Sequence, residues 1–241
     1  MRIAVISDVH GNMTALQAVV ADLKIVSVDV VVHGGDLVAN GSRPCEVIDF
    51  IRDAGWCGVR GNTDEMLWRP ELLEQLIRAQ PSRSGLRHVL FNEIAPATRE
   101  LIGNDRLNWL KNQPTEWRTH GIVVTHASPG DLWRAPLEHA SDDELISVFG
   151  PLQAATVAYG HIHRSFVRRP GSRVIANSGS VSLSYDGDPR AAYIICDDAG
   201  VTIRRVEYDV EHEIKELQAN RYPRRDWLSS ILKSGKYTAP F

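Results

Sequence analysis

Short apolar, β-branched runs recur through the first part of the chain, and segments of helical spacing lie between them. Residues 2–7 (RIAVIS) predict a buried strand. Residues 14–25 place Leu16, Val19, Val20 and Leu23 on one helical face. Residues 28–33 (VDVVVH) predict a second strand. Residues 44–54 predict a helix opening with Pro44 at its first position. Residues 56–59 predict a short third strand. Such alternation implies βαβ units and a largely parallel sheet. About sixty residues follow (65–120) with helical patterns, best at 71–79 and 99–112, broken by turn chemistry at 81–87. Residues 121–125 and 155–159 are further strands. Between them residues 141–148 form a helix whose Ser141 and Glu144 make a capping box. After residue 165 strand-like segments at 165–168, 173–176, 191–196 and 201–206 alternate with turn residues, which predicts an antiparallel meander. Residues 209–241 begin as a helix and become basic and irregular. There is no repeat or linker, so one α/β domain over residues 1–241 is expected.

The composition narrows the function classes. The chain has 241 residues, 43% hydrophobic and 24% charged, with a formal net charge of −3. That balance excludes a disordered chain. No apolar run approaches the ~20 residues of a membrane span. The start reaches Asp8 and His10 too soon for a signal peptide, so a cytoplasmic protein with no membrane contact is expected. Cys45, Cys57 and Cys196 are scattered and odd in number, against a disulfide framework or zinc ribbon. A pI near 6.3 and the lack of a basic stripe disfavour a nucleic-acid partner.

The informative residues follow the strands. The first is followed by Asp8-Val9-His10-Gly11-Asn12, the second by Gly34-Gly35-Asp36, and the third by Arg60-Gly61-Asn62-Thr63-Asp64. The strand at 121–125 runs directly into His126, and that at 155–159 into Gly160-His161-Ile162-His163. In a parallel sheet the carboxyl ends of the strands share one edge, where ligands bind. Asp8, His10, Asp36, Asn62, His126, His161 and His163 could therefore meet in one crevice. Imidazole and carboxylate donors suit manganese, iron, zinc, nickel or cobalt. Seven donors exceed what one such ion takes, but if Asp36 bridges they divide evenly between two. Two divalent ions against only Asp8 and Asp36 leave about two positive charges, which attract an anion such as phosphate and acidify a shared water.

Read in order, Asp8-x-His10, Gly35-Asp36, Gly61-Asn62-x-Asp64, His126 and Gly160-His161-x-His163 resemble the calcineurin-like metallophosphoesterase superfamily. SDVHGN with the following Ala15-Leu16, and NSGSVSLSYDGDPRAAY at 177–193, resemble its compact prokaryotic branch related to diadenosine tetraphosphatases and protein phosphatases. The resemblance implies a four-layer αββα sandwich of two mixed sheets flanked by helices. It implies a site with two divalent transition ions, manganese foremost. Asp8, His10 and His163 would hold one ion, Asn62, His126 and His161 the other, and Asp36 would bridge. A hydroxide between the ions would attack phosphorus. Asp36, Asn62, Arg60 and Asp64 are the catalytic candidates it suggests, Arg60 as a phosphate-holding arginine and Asp64 as the acid supporting its motif. The implied partner is a small phosphate-ester or nucleotide-type substrate; oligomeric state stays open.

One position departs from the pattern. The third motif commonly carries histidine where this chain has Thr63, and that histidine assists the leaving group. General-acid help is typically worth about 10²–10⁴-fold, and threonine cannot supply it near neutral pH. This predicts a bias toward phosphodiesters, activated esters or anhydrides. His33, Asn12 or an insert residue could replace the missing donor. Arg60 could instead pair with Asp64, His33 could lie in the core or orient Asp36, and Asn177 reads as a turn residue. His88, His120, His139 and His212 read as surface residues. The insert could overhang the crevice, with Trp68, Trp109 and Trp133 stacking on substrate or, alternatively, packing in the core. The basic tail could draw in anions or contact another subunit. A non-catalytic protein-binding scaffold and a nuclease are the competing functions.

Overall fold

Strand β1 (Ile3–Ile6) is buried on both faces, which is why its sequence is continuously apolar rather than alternating. Ile3 and Val5 point one way, into a core with Val32, Val59, Val124, Ala158, Ala176 and Ile194. Ala4 and Ile6 point the other way, into a second core with Leu16, Val19, Ile48 and Ile51. A computed structural model describes residues 1–119 and 121–241 of the chain.

Strands β2 (Val30–His33) and β3 (Cys57–Gly58) extend β1 in parallel. On its other side lies β9 (Ala191–Asp197), antiparallel, followed by β10 (Gly200–Val206). The first sheet thus has the order β10-β9-β1-β2-β3. The second sheet combines β4 (Glu116–Thr119), β5 (Ile122–Thr125), β6 (Thr156–Tyr159), β7 (Phe166–Arg168) and β8 (Val174–Asn177) in the order β4-β5-β6-β8-β7. Here β5, β6 and β8 run parallel, with antiparallel edges. The core containing Val5 and Val124 joins the two sheets face to face.

Helices cover the outer faces. On the first sheet lie α1 (Met13–Val26), α2 (Pro44–Asp53) and α8 (Val210–Ala219). Asn12 caps α1 by accepting the Ala15 N–H at 2.8 Å. Helix α7 (Asp142–Phe149) covers the second sheet through Leu145 and Phe149, and Ser141 accepts the Glu144 N–H as its capping pattern predicts. The architecture is the expected α/β/β/α sandwich. Among the described residues no helix is long and apolar enough to cross a membrane.

Several elements differ from the sequence reading. The segments after residue 165 form no single meander. They make two hairpins in different sheets, and β8 pairs parallel with β6. Turn residues signal where strands end, not which sheet they join. The stretch at 81–87 is not a plain turn: after a 3₁₀ turn (Pro81–Arg83) comes α5 (Ser84–Val89), continued by a π turn at Leu90–Ile94. Between α3 (Asn62–Glu65) and α5 lies α4 (Leu72–Ala79). Helix α6 (Ala95–Lys111) starts earlier than predicted and kinks at Gly103. The predicted helical stretch ends in strand β4, whose four residues are too few for a visible period. The tail is not irregular, because α9 (Arg225–Ser234) buries Leu228, Ile231 and Leu232. Serines and a lysine dilute that apolar stripe in the sequence. His120 lies outside the described residues; His88, His139 and His212 are exposed.

Candidate metal centre

The turns after β1 and β2 of the first sheet and after β5 and β6 of the second, together with α3, open onto the same edge of the two-sheet sandwich and bring all seven candidate ligands together. Asp8, His10, Asp36, Asn62, His126 and His163 are each at most 5% exposed. Ligand atoms of Asp8, His10 and His163 lie mutually within 4.8 Å, as do those of Asp8, Asp36 and His126. Asn62 Oδ1 sits 2.8 Å from His126 Nε2 and 2.8 Å from His161 Nδ1. Asp36 lies between: its Oδ1 is 3.6 Å from His126 Nε2, and its Oδ2 is 3.9 Å from His10 Nε2.

The backbone holds these groups at a local cost. Asp8, His10, Asp36, His161 and His163 all have left-handed φ, between 49° and 66°. For residues other than glycine this costs about 1–2 kcal/mol each, and such strain gathers where surrounding contacts over-determine a functional geometry. Two of the motif glycines are explained by close approach. A Cβ on Gly61 would fall 2.1 Å from Asp36 Oδ1, and one on Gly160 would fall 2.4 Å from Asp8 Oδ2.

Hydrogen bonds fix the rings. His10 Nδ1–H donates to Ala39 O at 2.7 Å, His126 Nδ1–H to Gly34 O at 2.8 Å, and His163 Nδ1–H to Leu183 O. Each therefore turns a bare Nε2 toward the site, the arrangement metal-binding imidazoles use. His10 Nε2 and His163 Nε2 are 3.2 Å apart. Two lone pairs that close need a proton or a cation between them. Metal–nitrogen bonds of about 2.1 Å meeting near a right angle would leave their donors about 3 Å apart. Asp8 Oδ1, fully buried and 3.0 Å from His163 Nε2, is a third donor at the same point. The residues fit a metal ion.

Electrostatics agree. Burial drives His10 down to about 3, with the charge of His163 acting the same way, and burial likewise lowers His161 well below its ordinary value. These rings stay neutral and able to ligate. Burial works against charge on both His163 and Asp8, but their mutual attraction outweighs it, raising His163 and lowering Asp8. Burial raises the Asp36 carboxyl. Burial and then the Asp36 charge push Asp64 up to about 7, although Asp64 accepts backbone N–H bonds from Asp36, Leu37 and Gly61 at 2.8, 2.9 and 3.0 Å. Asp64 thus positions the Asp36 turn and does not face the donor cluster.

The remaining candidates fall at varied distances from the centre. Arg60 does not pair with Asp64; its guanidinium donates to the carbonyls of Lys111 and Gln113. Thr63 N–H donates to Asp36 Oδ1 at 2.8 Å, while its buried hydroxyl has no partner among the described residues. His33 is fully buried beneath the edge, 6.0 Å from the Trp109 ring. Asn177 shapes its turn, donating to Gly160 O and accepting from Gly179 N–H. Trp68 and Trp109 pack against the core, and Trp133 stacks on Phe91. Sequence reasoning missed Tyr185, whose ring stacks 4.4 Å from His163, and Arg87 of α5, which lies over Trp133. Tyr185 falls inside the 177–193 motif; nothing marked Arg87.

Comparison with known proteins matches the geometry. Residues 1–199 fit the model of the calcineurin-like phosphoesterase superfamily domain. The chain belongs to that superfamily, and its site is a group of Asp and His residues able to hold metal. It is 30% identical to an uncharacterized protein of Methanocaldococcus jannaschii, over 97% of this chain and 98% of that one. A metallophosphoesterase from Sphaerobacter thermophilus superposes with TM-score 0.77 at 26% identity, covering 98% and 99% of the two chains. A symmetrical bis(5'-nucleosyl)-tetraphosphatase of Vibrio vulnificus is 28% identical over 54% of this chain and 45% of its own length.

Proposed function

We propose that the protein hydrolyses phosphate esters with two divalent transition ions, manganese foremost. One observation carries the reading: Asp36 presents one carboxylate oxygen toward His126 and the other toward His10, as a bridging ligand does. Asp8, His10 and His163 would hold one ion, and Asn62, His126 and His161 the other. When bound, such a pair polarises phosphoryl oxygens and lowers the pKa of a coordinated water. The chain's own groups supply the rest. Three carbonyls fix the orientation of three imidazoles, aiming Nε2 at the site. Asp64 ties down the Asp36 backbone, and Thr63 N–H orients the Asp36 carboxylate. Two acids against four positive charges leave an excess that draws in an anionic ester.

Thr63 shapes the substrate range. Its hydroxyl cannot protonate a departing alkoxide near neutral pH, so the enzyme favours phosphodiesters, aryl esters or anhydrides of the nucleotide polyphosphate kind. The partial likeness to a dinucleoside tetraphosphatase supports this. The test is a panel of phosphate mono- and diesters and dinucleoside polyphosphates, assayed on metal-stripped protein and after adding back Mn²⁺, Fe²⁺, Zn²⁺, Ni²⁺ or Co²⁺. Activity restored by metal is the expected result; activity undiminished in stripped protein refutes the reading. Thr63→His should raise turnover of alkyl esters relative to p-nitrophenyl esters by about 10-fold or more, and an unchanged ratio removes the role given to Thr63.

A further inference from the structure

Arg87 is an uncommon arginine. It is 5% exposed, and its Nε has no hydrogen-bond partner among the described residues. No carboxylate among them lies within ion-pair distance. Its guanidinium carbon sits 4.5 Å over the ring of Trp133. Trp133 is itself 8% exposed, stacked with Phe91 at 5.6 Å, and its indole Nε1–H is likewise without a partner among the described residues. Two buried donors are thus left unanswered side by side. A buried guanidinium without an anion is costly, and burial drags this one down to about 10.

The place is informative. Trp133 lies in the loop that leaves β5 through His126, and Arg87 descends from the insert. The C-terminal segment ties helix α5 to the site: Phe241 lies against Gly85, and Tyr237 packs 5.4 Å from Tyr185, whose ring stacks 4.4 Å from His163. Of the charged and titratable groups that act on Arg87, Arg83 opposes its charge while Asp131 and Tyr237 favour it. Asp131 is otherwise engaged: its Oδ1 accepts the Trp133 backbone N–H at 2.8 Å, and its Oδ2 is 3.9 Å from Arg134.

We propose that Arg87, with the Trp133 indole N–H beside it, binds a phosphoryl oxygen of the substrate, an anion clamp delivered by the insert across the crevice from the metal ligands. A planar guanidinium suits this task, since it offers two parallel donors to one phosphate. The proposal rests on the phosphate-ester reading and adds to it a residue that Arg60, bound to backbone carbonyls, does not provide.

The test uses the metal-loaded full chain with inorganic phosphate as probe and p-nitrophenyl phosphate as substrate. Arg87→Met should raise the phosphate inhibition constant and KM together by about 10- to 100-fold, with kcat changed far less, and Arg87→Lys should recover part of the loss. Phosphate should also alter the tryptophan fluorescence of the wild-type protein, and Trp133→Phe should abolish that response. A folded Arg87→Met protein with unchanged KM and inhibition constant overturns the clamp while leaving the phosphoesterase reading intact. If Arg87→Met does not fold, the fluorescence arm decides: a phosphate response that survives Trp133→Phe overturns it. A wild-type protein that hydrolyses nothing, yet shows the Trp133-dependent response, overturns the phosphoesterase reading and leaves the clamp standing.

Discussion

The ligand-bearing turns and the helical insert are built by opposite means. The turns are rigid through excess constraint. Five of their metal-ligand candidates sit in left-handed backbone, three rings are tied to carbonyls, and Asp36 is gripped by Asp64 and Thr63. The insert is held by ordinary apolar packing, with Val89, Ile94, Ile102 and Leu110 buried in the first sheet's outer core, and its path is irregular. Helix α4 buries no residue, a 3₁₀ turn and a π turn interrupt its path, and α6 breaks its helical geometry at Gly103. The lesson is one of tolerance. Ions demand fixed donors and a scaffold that cannot shift, whereas a surface that greets substrate needs only to present a few groups, and it can be re-cut without disturbing the chemistry.

The strongest blow to the comparison comes at the bridging position. Asp36→Asn should lower kcat/KM by about 10³-fold, close to 4 kcal/mol, and reduce metal content per chain by half or more. Mass-spectrometric metal analysis beside kinetics checks it, and full activity with full metal content contradicts the rigid-edge picture.

Next comes His33, where the two regions meet through Trp109. Burial holds its imidazole down to about 4, against an ordinary 6.5. Its folded pKa is depressed, so the unfolded chain binds the extra proton between these values. The stabilising contribution is present above pH 6.5 and is lost as pH falls toward 4, to the extent of roughly 3 kcal/mol. Urea midpoints of metal-free wild type and His33→Gln, compared from pH 4 to 7, should converge as the pH drops; parallel curves would count against it.

A pair of glycines sharpens the contrast at smaller scale. Gly160→Ala, driven into Ser7 Oγ at 2.1 Å and Asp8 Oδ2 at 2.4 Å, should cost about 1–3 kcal/mol and weaken metal retention. Gly103→Ala, with open space around its Cβ but φ of 68° and ψ of 179°, a region only glycine adopts readily, should cost about 1–3 kcal/mol through the backbone alone and leave metal content unchanged. Thermal melting with and without metal separates them.

What the sequence disclosed follows the same division. Strands β1, β2, β5 and β6 were readable because each apolar run stops abruptly at Asp or His, and an abrupt stop is a local signal. The pairing of Asp8 with Asp36 and of His126 with His161 was readable because parallel strands share an edge, but the one largely parallel sheet the alternation predicts is two sheets, and only their stacking brings the pairs together. Sheet membership was not: the pairing of β8 with β6, and of β9 with β1, is decided by long-range packing that no local window contains. Strand β4 and helix α9 were missed because four residues, or a stripe thinned by serine, carry too little periodicity. Arg87 was invisible because its chemistry lies in what surrounds it rather than in its neighbours along the chain.

The insertion of β9 beside β1 also has a bearing on biosynthesis. Ile3 pairs with Cys196, so the central strand of the first sheet gains one of its two partners only after most of the polypeptide has emerged from the ribosome. Until then β1 exposes an apolar open edge, and Asp8 at its end lacks Ser180, whose hydroxyl donates to the Asp8 carbonyl. The edge that gathers the candidate ligands is thereby completed only at a late stage of folding, when nearly the whole chain is present.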